Sequence, residues 1–222
     1  MYKKSVLLFT MFLLFSSFAI ASGPRWVSLF NGKDMSGWIQ KAGKATYRVE
    51  DGTIIGKTTK MSLNSFLCSE KEYGNFELKF EVKLFDDDLN SGVQIRSKTK
   101  KLANQGNRIV VYGPQVEIMA SGESGGYSGY LYGEGIHDWM TPANKLIRHK
   151  VYKDGKWNSY RIVAKGSRIQ TWINGKQIED LIDEEIFKTH PEGFIGLQVH
   201  SVQDRGPYQV AWRNIKIRSL DK

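Results

Sequence analysis

The chain has 222 residues, a formal charge of +9 at pH 7 and 41% apolar residues. Its basic residues are scattered instead of clustered, which argues against a nucleic-acid partner and leaves only a weak pull on acidic polymers or membrane surfaces. A single cysteine, Cys68, excludes an internal disulfide, so the fold must rest on its core and the thiol is expected to be buried filler.

In chain order the first element is a leader. Lys3 and Lys4 precede an apolar run over 6–20 that ends in Ala19-Ile20-Ala21, the charged start, apolar middle and small-residue cleavage site of a secretory signal peptide. The run is short for a membrane span, and no cysteine at the cleavage point could take a lipid. The expectation is a signal at 1–21 and a mature chain from Ser22, periplasmic or secreted and without a membrane anchor. About 200 residues then remain, the size of one domain over 22–222.

Alternation dominates the rest. Phe76, Leu78, Phe80, Val82 and Leu84 exchange with charged residues at the period of a strand with one wet face. Similar strands are predicted at 47–49, 53–56, 160–164, 169–173, 194–200 and 210–218. Turn signals separate them at Asn31-Gly32, Asp51-Gly52, Asp154-Gly155, Lys165-Gly166 and Asn174-Gly175. The firmest hairpin joins 160–164 to 168–173. One short helix is expected over 183–188. The stretch 121–150, rich in Gly, Tyr and Ser, is expected to be a rim or lid. Asp86-Asp87-Asp88 lacks the spaced ligands and glycine of a calcium loop and reads as a solvated turn.

Three strands carry chemistry. In GVQIR (92–96), QVEI (115–118) and GLQVH (196–200), Val93/Ile95, Val116/Ile118 and Leu197/Val199 can enter a core. Gln94/Arg96, Gln115/Glu117 and Gln198/His200 then point the other way. If the strands share a sheet, a guanidinium, a carboxylate and an imidazole meet on one face, a set able to grip hydroxyls and move a proton. The plainer alternatives are a Glu117–Arg96 ion pair bracing two strands, a structural His200 and amide ladders. Trp139, Tyr130 and Tyr132 could stack on a ring, while Trp26, Trp38, Trp157 and Trp172 are expected in the core.

Several stretches together resemble the 3-keto-disaccharide hydrolase domain: SLFNGKDMSGW (28–38), NSGVQIR (90–96), GPQVEI (113–118), GKWNSYRI (155–162), WING (172–175), GLQVH (196–200) and RNI (213–215). The resemblance runs in order from Ser28 to the last strand. It implies an all-β, concanavalin A-like jelly-roll sandwich of two antiparallel sheets, one concave, in an exported protein acting on 3-keto-glycosides or 3-keto-disaccharides. An oligosaccharide or glycoside is the implied partner, with no nucleic acid and no obligate protein partner.

A conventional glycosidase needs two carboxylates, and Glu117 has only Gln115 and Met119 as same-face neighbours; Glu134 or Asp138 could supply the second. A ketone at C3 opens another route, because it acidifies the C2 hydrogen and lets an enolate expel the group at C1. Glu117 or His200 is the base and Arg96 the stabiliser of the enolate oxygen. Asn90, Gln94, Gln115, Gln198, Tyr132, Glu134, Trp139 and Arg213 are the expected substrate contacts. No cofactor is required, although a divalent cation held by His200, Glu117 and a loop carboxylate would use the same residues. The competing reading is a non-catalytic carbohydrate-binding module of the same fold.

Overall fold

A computed structural model describes residues 24–221; the expected signal at 1–21 lies outside the described residues. The strand pattern predicted from alternation resolves into two antiparallel sheets, the architecture of a jelly-roll sandwich. One sheet has eight strands: β1 (Val27–Ser28), β3 (Thr46–Glu50), β4 (Thr53–Lys57), β6 (Phe76–Leu84), β10 (Asn158–Lys165), β11 (Arg168–Ile173), β12 (Lys176–Ile182) and β14 (Gln209–Ser219). The other has six, in the spatial order β2 (Trp38–Ala42), β5 (Ser65–Tyr73), β13 (Gly193–Val199), β7 (Ser91–Leu102), β8 (Arg108–Ile118) and β9 (Leu131–Glu134).

The core lies between them. Leu78, Phe80, Val82, Tyr160, Ile162 and Trp212 of the larger sheet meet Val93, Ile95, Val116, Ile118, Leu197 and Val199 of the smaller one, all nearly or fully buried. Leu78, Phe80, Val82 and the six residues of the smaller sheet are the alternate positions that the sequence assigned to the core. The helix α1 (Glu184–Thr189) is capped by Asp183, whose side chain accepts from the Ile186 amide at 2.9 Å. The hairpin β10–β11 pairs Tyr160 with Ile173 and Lys165 with Arg168.

Two sequence expectations change. Of the four tryptophans placed in the core, Trp38 is there, but Trp26, Trp157 and Trp172 lie on the outer face of the larger sheet beneath Arg218, Arg213 and Arg161. Their rings offer a flat face on which a guanidinium stacks, which holds them at the surface. The stretch 121–150 is also more ordered than expected. It contains β9, hydrogen-bonded to β8, and is anchored where the Thr171 hydroxyl donates to the Gly129 carbonyl at 2.6 Å. It therefore forms a rim.

Strand β5 escaped the alternation test because both of its faces are covered. Leu67 faces the main core, whereas Phe66 and Cys68 join Val111 and Phe194 in a second apolar cluster. Val111 reaches them because β8 touches β2 across the three strands between them in the sheet order. The hairpin β7–β8 thus curls over the outer face of the smaller sheet and makes that face concave.

Candidate functional site

The concave face is laid out in two rows by strand register. Gly196 opposes Gln94, Gln94 opposes Gln115, and Gln115 opposes Tyr132; in the next row Gln198 opposes Gly92, which opposes Glu117. Side chains two apart on each strand share a face, so the register alone brings these polar groups together. Gly92 is required where it stands. A Cβ there would sit 2.4 Å from Gln115 Cδ, so only a missing side chain lets Gln115 lie across the strand.

A directed chain of hydrogen bonds fixes the floor. The Ser97 hydroxyl donates to Gln94 Oε1 at 2.6 Å, Gln94 Nε2 to Gln115 Oε1 at 2.7 Å, and Gln115 Nε2 to Glu117 Oε2 at 3.0 Å. Asn90 Nδ2 donates to the other oxygen of Glu117. Glu134 is held similarly, by Asn64 Nδ2 at 3.2 Å and Gln198 Nε2 at 3.3 Å. Above this floor is a depression of about 260 Å³ lined by both carboxyls and by Asn64, Asn90, Gln198, Tyr132, Trp139 and His200, among others. Trp139 stands edge-on to Tyr132 at 5.5 Å, making an aromatic wall.

Electrostatically the site is a carboxyl pair without a cation: no Lys or Arg is among its lining residues. Burial pushes the Glu117 carboxyl up to about 7, against the pull of the Asn90 and Gln115 donors and with the help of the Glu134 charge. Glu134 is likewise raised by burial. Burial holds His200 below its usual value and so neutral. Its Nδ1 lies 2.7 Å from the Ser201 carbonyl, which can only accept; Nδ1 therefore carries the proton and Nε2 is left as a proton acceptor. Two buried acceptors on the lining, Asn90 Oδ1 and Gln198 Oε1, have no partner within the protein. Hydroxyl groups of a sugar would supply donors to both.

Most of the sequence-derived site is gathered here: Glu117, His200, Asn90, Gln115, Gln198, Tyr132, Glu134 and Trp139 line the depression, and Gln94 lies in its floor. Two residues do not belong to it. Arg96 is drawn out of the alternation by a bulge between Gln94 and Lys98, at which its own backbone turns left-handed (φ 50°). Its guanidinium donates to the Gly74 carbonyl at 2.8 Å, the Gly166 carbonyl at 2.7 Å and Asn75 Oδ1 at 3.3 Å, tying two hairpin turns together. It neither stabilises an enolate here nor pairs with Glu117. Arg213 is on the other sheet, where it binds Glu81 at 2.6 Å and stacks on Trp157. Asn64 is the residue sequence reasoning missed, since it sits just before β5 in a segment with no strand signal.

The divalent-ion alternative does not fit the donor set. Among the described residues no three His, Cys, Asp or Glu side chains cluster as ligands, and amide donors already hold both oxygens of Glu117 and of Glu134.

Residues 25–218 match the family model of the 3-keto-alpha-glucoside-1,2-lyase-like domain, which covers both sheets and every residue of the depression. The chain belongs to this family. Membership places it among carbohydrate-active, glycosyl-hydrolase-like or carbohydrate-binding proteins. Two crystal structures from Parabacteroides distasonis, each named "putative glycosyl hydrolase", share its fold. One is 20% identical with a TM-score of 0.59, over 88% of this chain and 94% of that one. The second is 23% identical with a TM-score of 0.56, over 88% and 100%. The kappa-carrageenase of Pseudoalteromonas carrageenovora, 10% identical, superposes with a TM-score of 0.55 over 93% of this chain and 98% of its own. No curated protein matches the sequence.

Proposed function

We propose that the protein cleaves glycosides whose sugar carries a ketone at C3, by elimination across C1 and C2. The observation that carries this reading is a buried carboxyl at about 7, with no cation beside it, on the same floor as a neutral histidine whose Nε2 is free. Such a pair supplies one base and one acid at neutral pH.

In the proposed step His200 Nε2 takes the C2 proton, which the adjacent ketone has acidified. The C2–H electron pair forms the C1=C2 double bond as the C1–O bond breaks, and protonated Glu117 gives its proton to the departing oxygen. Glu134 supports the protonated form of Glu117 by like-charge repulsion. Asn90, Gln115 and Gln198 orient hydroxyls, and Trp139 with Tyr132 walls the ring. Addition of water across the double bond, with the two proton transfers reversed, makes the net reaction a hydrolysis; release of the unsaturated sugar makes it a lyase. Export to the periplasm or medium is part of the same proposal and rests on the leader at 1–21, so the signal-processed chain should appear outside the cytoplasm on fractionation.

The test is to incubate the purified protein with matched native and 3-keto glucosides and follow the aglycone and the sugar product. Release from the keto form alone, lost in His200→Ala, supports elimination, and the sugar product separates lyase from hydrolase. A second reading, a sugar-binding module, is favoured only by the two orphan acceptors; sugar binding without release from either glucoside would establish it and remove the first.

A further inference from the structure

Next to the polar depression lies a larger one, about 680 Å³, that the proposed chemistry leaves unused. The two share Asn64 and Glu134 as a common wall, so one ligand can occupy both. Its floor is Phe66 and Val111, made rigid by packing on Cys68 and Phe194. Around that floor Met61, Leu63 and Ile109 remain 78%, 51% and 44% exposed. Large apolar side chains left in water around a concave, apolar floor are the composition of a ligand pocket.

The charge of this pocket is opposite to that of its neighbour. Lys44 and Arg108 line it and outnumber the shared Glu134, whereas the polar depression has Glu117 and Glu134 and no Lys or Arg. Arg108 Nε is buried and has no hydrogen-bond partner. A buried guanidinium N–H without an acceptor costs the full desolvation of that group unless a ligand supplies one, and a carboxylate or phenolate does so best. Apolar walls, two cations and an orphan donor together describe an aromatic ring with an acidic substituent.

We propose that this second depression is the aglycone subsite and selects aromatic aglycones bearing an acidic group, the sugar lying over Glu117 and His200. The assignment rests on the function proposed above, in that the ligand of the polar depression is taken to be a glycoside. It explains why the walls of the two depressions differ so sharply in polarity although strand β8 contributes to both: its 108–111 half lines the apolar one and its 115–117 half the polar one. A second sugar would need hydroxyl-binding groups on the floor, where Phe66 and Val111 offer none.

Two measurements test it independently. In the first, 4-hydroxybenzoate and phenol are titrated into the protein with labelled Leu and Ile methyl groups. Shifts at Leu63 and Ile109, with 4-hydroxybenzoate the tighter ligand and its affinity reduced about tenfold in Arg108→Gln while phenol moves less than about twofold, are the expected result. Leu63→Ser, at an exposed site that should not disturb folding, should weaken both ligands. In the second, the ratio of kcat/KM for 4-carboxyphenyl over methyl 3-keto-glucoside should fall in Arg108→Gln. An unchanged ratio, absent methyl shifts, or shifts that follow protein concentration alone and so mark a second copy of the chain would overturn the assignment. If neither keto-glucoside is cleaved, the elimination chemistry fails, and the methyl titration still decides what the pocket binds.

Discussion

Two buried glutamates, one on each outer face of the sandwich, sit in opposite surroundings. Glu77 on the larger sheet is 3% exposed and ion-paired to Arg161 at 2.5 Å, to Arg218 and to Lys79. Glu117 on the smaller sheet is 4% exposed and touches only neutral amides. Burial pushes both carboxyls up, but at Glu77 the two arginines more than reverse it and hold the group below its usual range. At Glu117 nothing does, and it reaches about 7. The contrast separates a carboxylate matched by cations from one left poised between its two protonation states, which is the state the proposed elimination asks of its acid.

The largest effect is expected from Glu117→Gln. It should lower turnover of an alkyl 3-keto-glucoside about 10³-fold and that of a 4-nitrophenyl one far less, because a good leaving group needs no acid. Equal losses on both would remove Glu117 from the acid role. The pH profile of kcat/KM should be a bell, rising as the depressed His200 loses its proton and falling as Glu117 ionises near 7; a profile that only rises through about 7 would make Glu117 the base.

Stability should show the same opposition. A raised pKa means that the folded state holds the proton more tightly, so the contribution of Glu117 is complete below its usual 4.5 and is lost as pH rises through about 7. Thermal melts at pH 8 should therefore find Glu117→Gln at least as stable as the parent. Glu77 has the reverse sign, its contribution being present above the ordinary carboxylate range and lost as pH falls through its lowered value. Glu77→Gln should cost about 2 kcal/mol at pH 8, the scale of charged hydrogen bonds to half-exposed arginines, with turnover intact in the folded protein. A loss of turnover without a loss of stability would blur the distinction.

Smaller effects sharpen it further. Arg96→Met should cost about 2 kcal/mol by denaturant melt, since three acceptors in two turns lose their donor, and leave the pH profile in place. Arg213→Gln, a half-exposed pair with Glu81, should change stability by less than about 1 kcal/mol.

How much of this was legible beforehand depended on burial. Where one face of a strand is wet, as in β6, the alternation of Phe76, Leu78, Phe80, Val82 and Leu84 identified both the strand and its core side. Where both faces are covered, as at Phe66 and Cys68 in β5, the period disappears. The site followed the same rule. Gln94, Gln115, Glu117 and Gln198 were found because they break an apolar pattern at alternate positions, whereas Asn64 lies outside any pattern.

By itself the sequence determined the all-β class, the core faces of the central strands and most of the polar groups that could meet, since all of these follow from a period of two. Tertiary structure alone decided which of them do meet. One extra residue in a bulge sends Arg96 to two distant turns, sheet membership puts Arg213 on the opposite face, and Asn90, Tyr132, Glu134 and Trp139 gather around Glu117 from separate segments of the chain. A carboxyl's pKa depends on the solvent and charges around it in space, and neither is written in the order of residues along the chain.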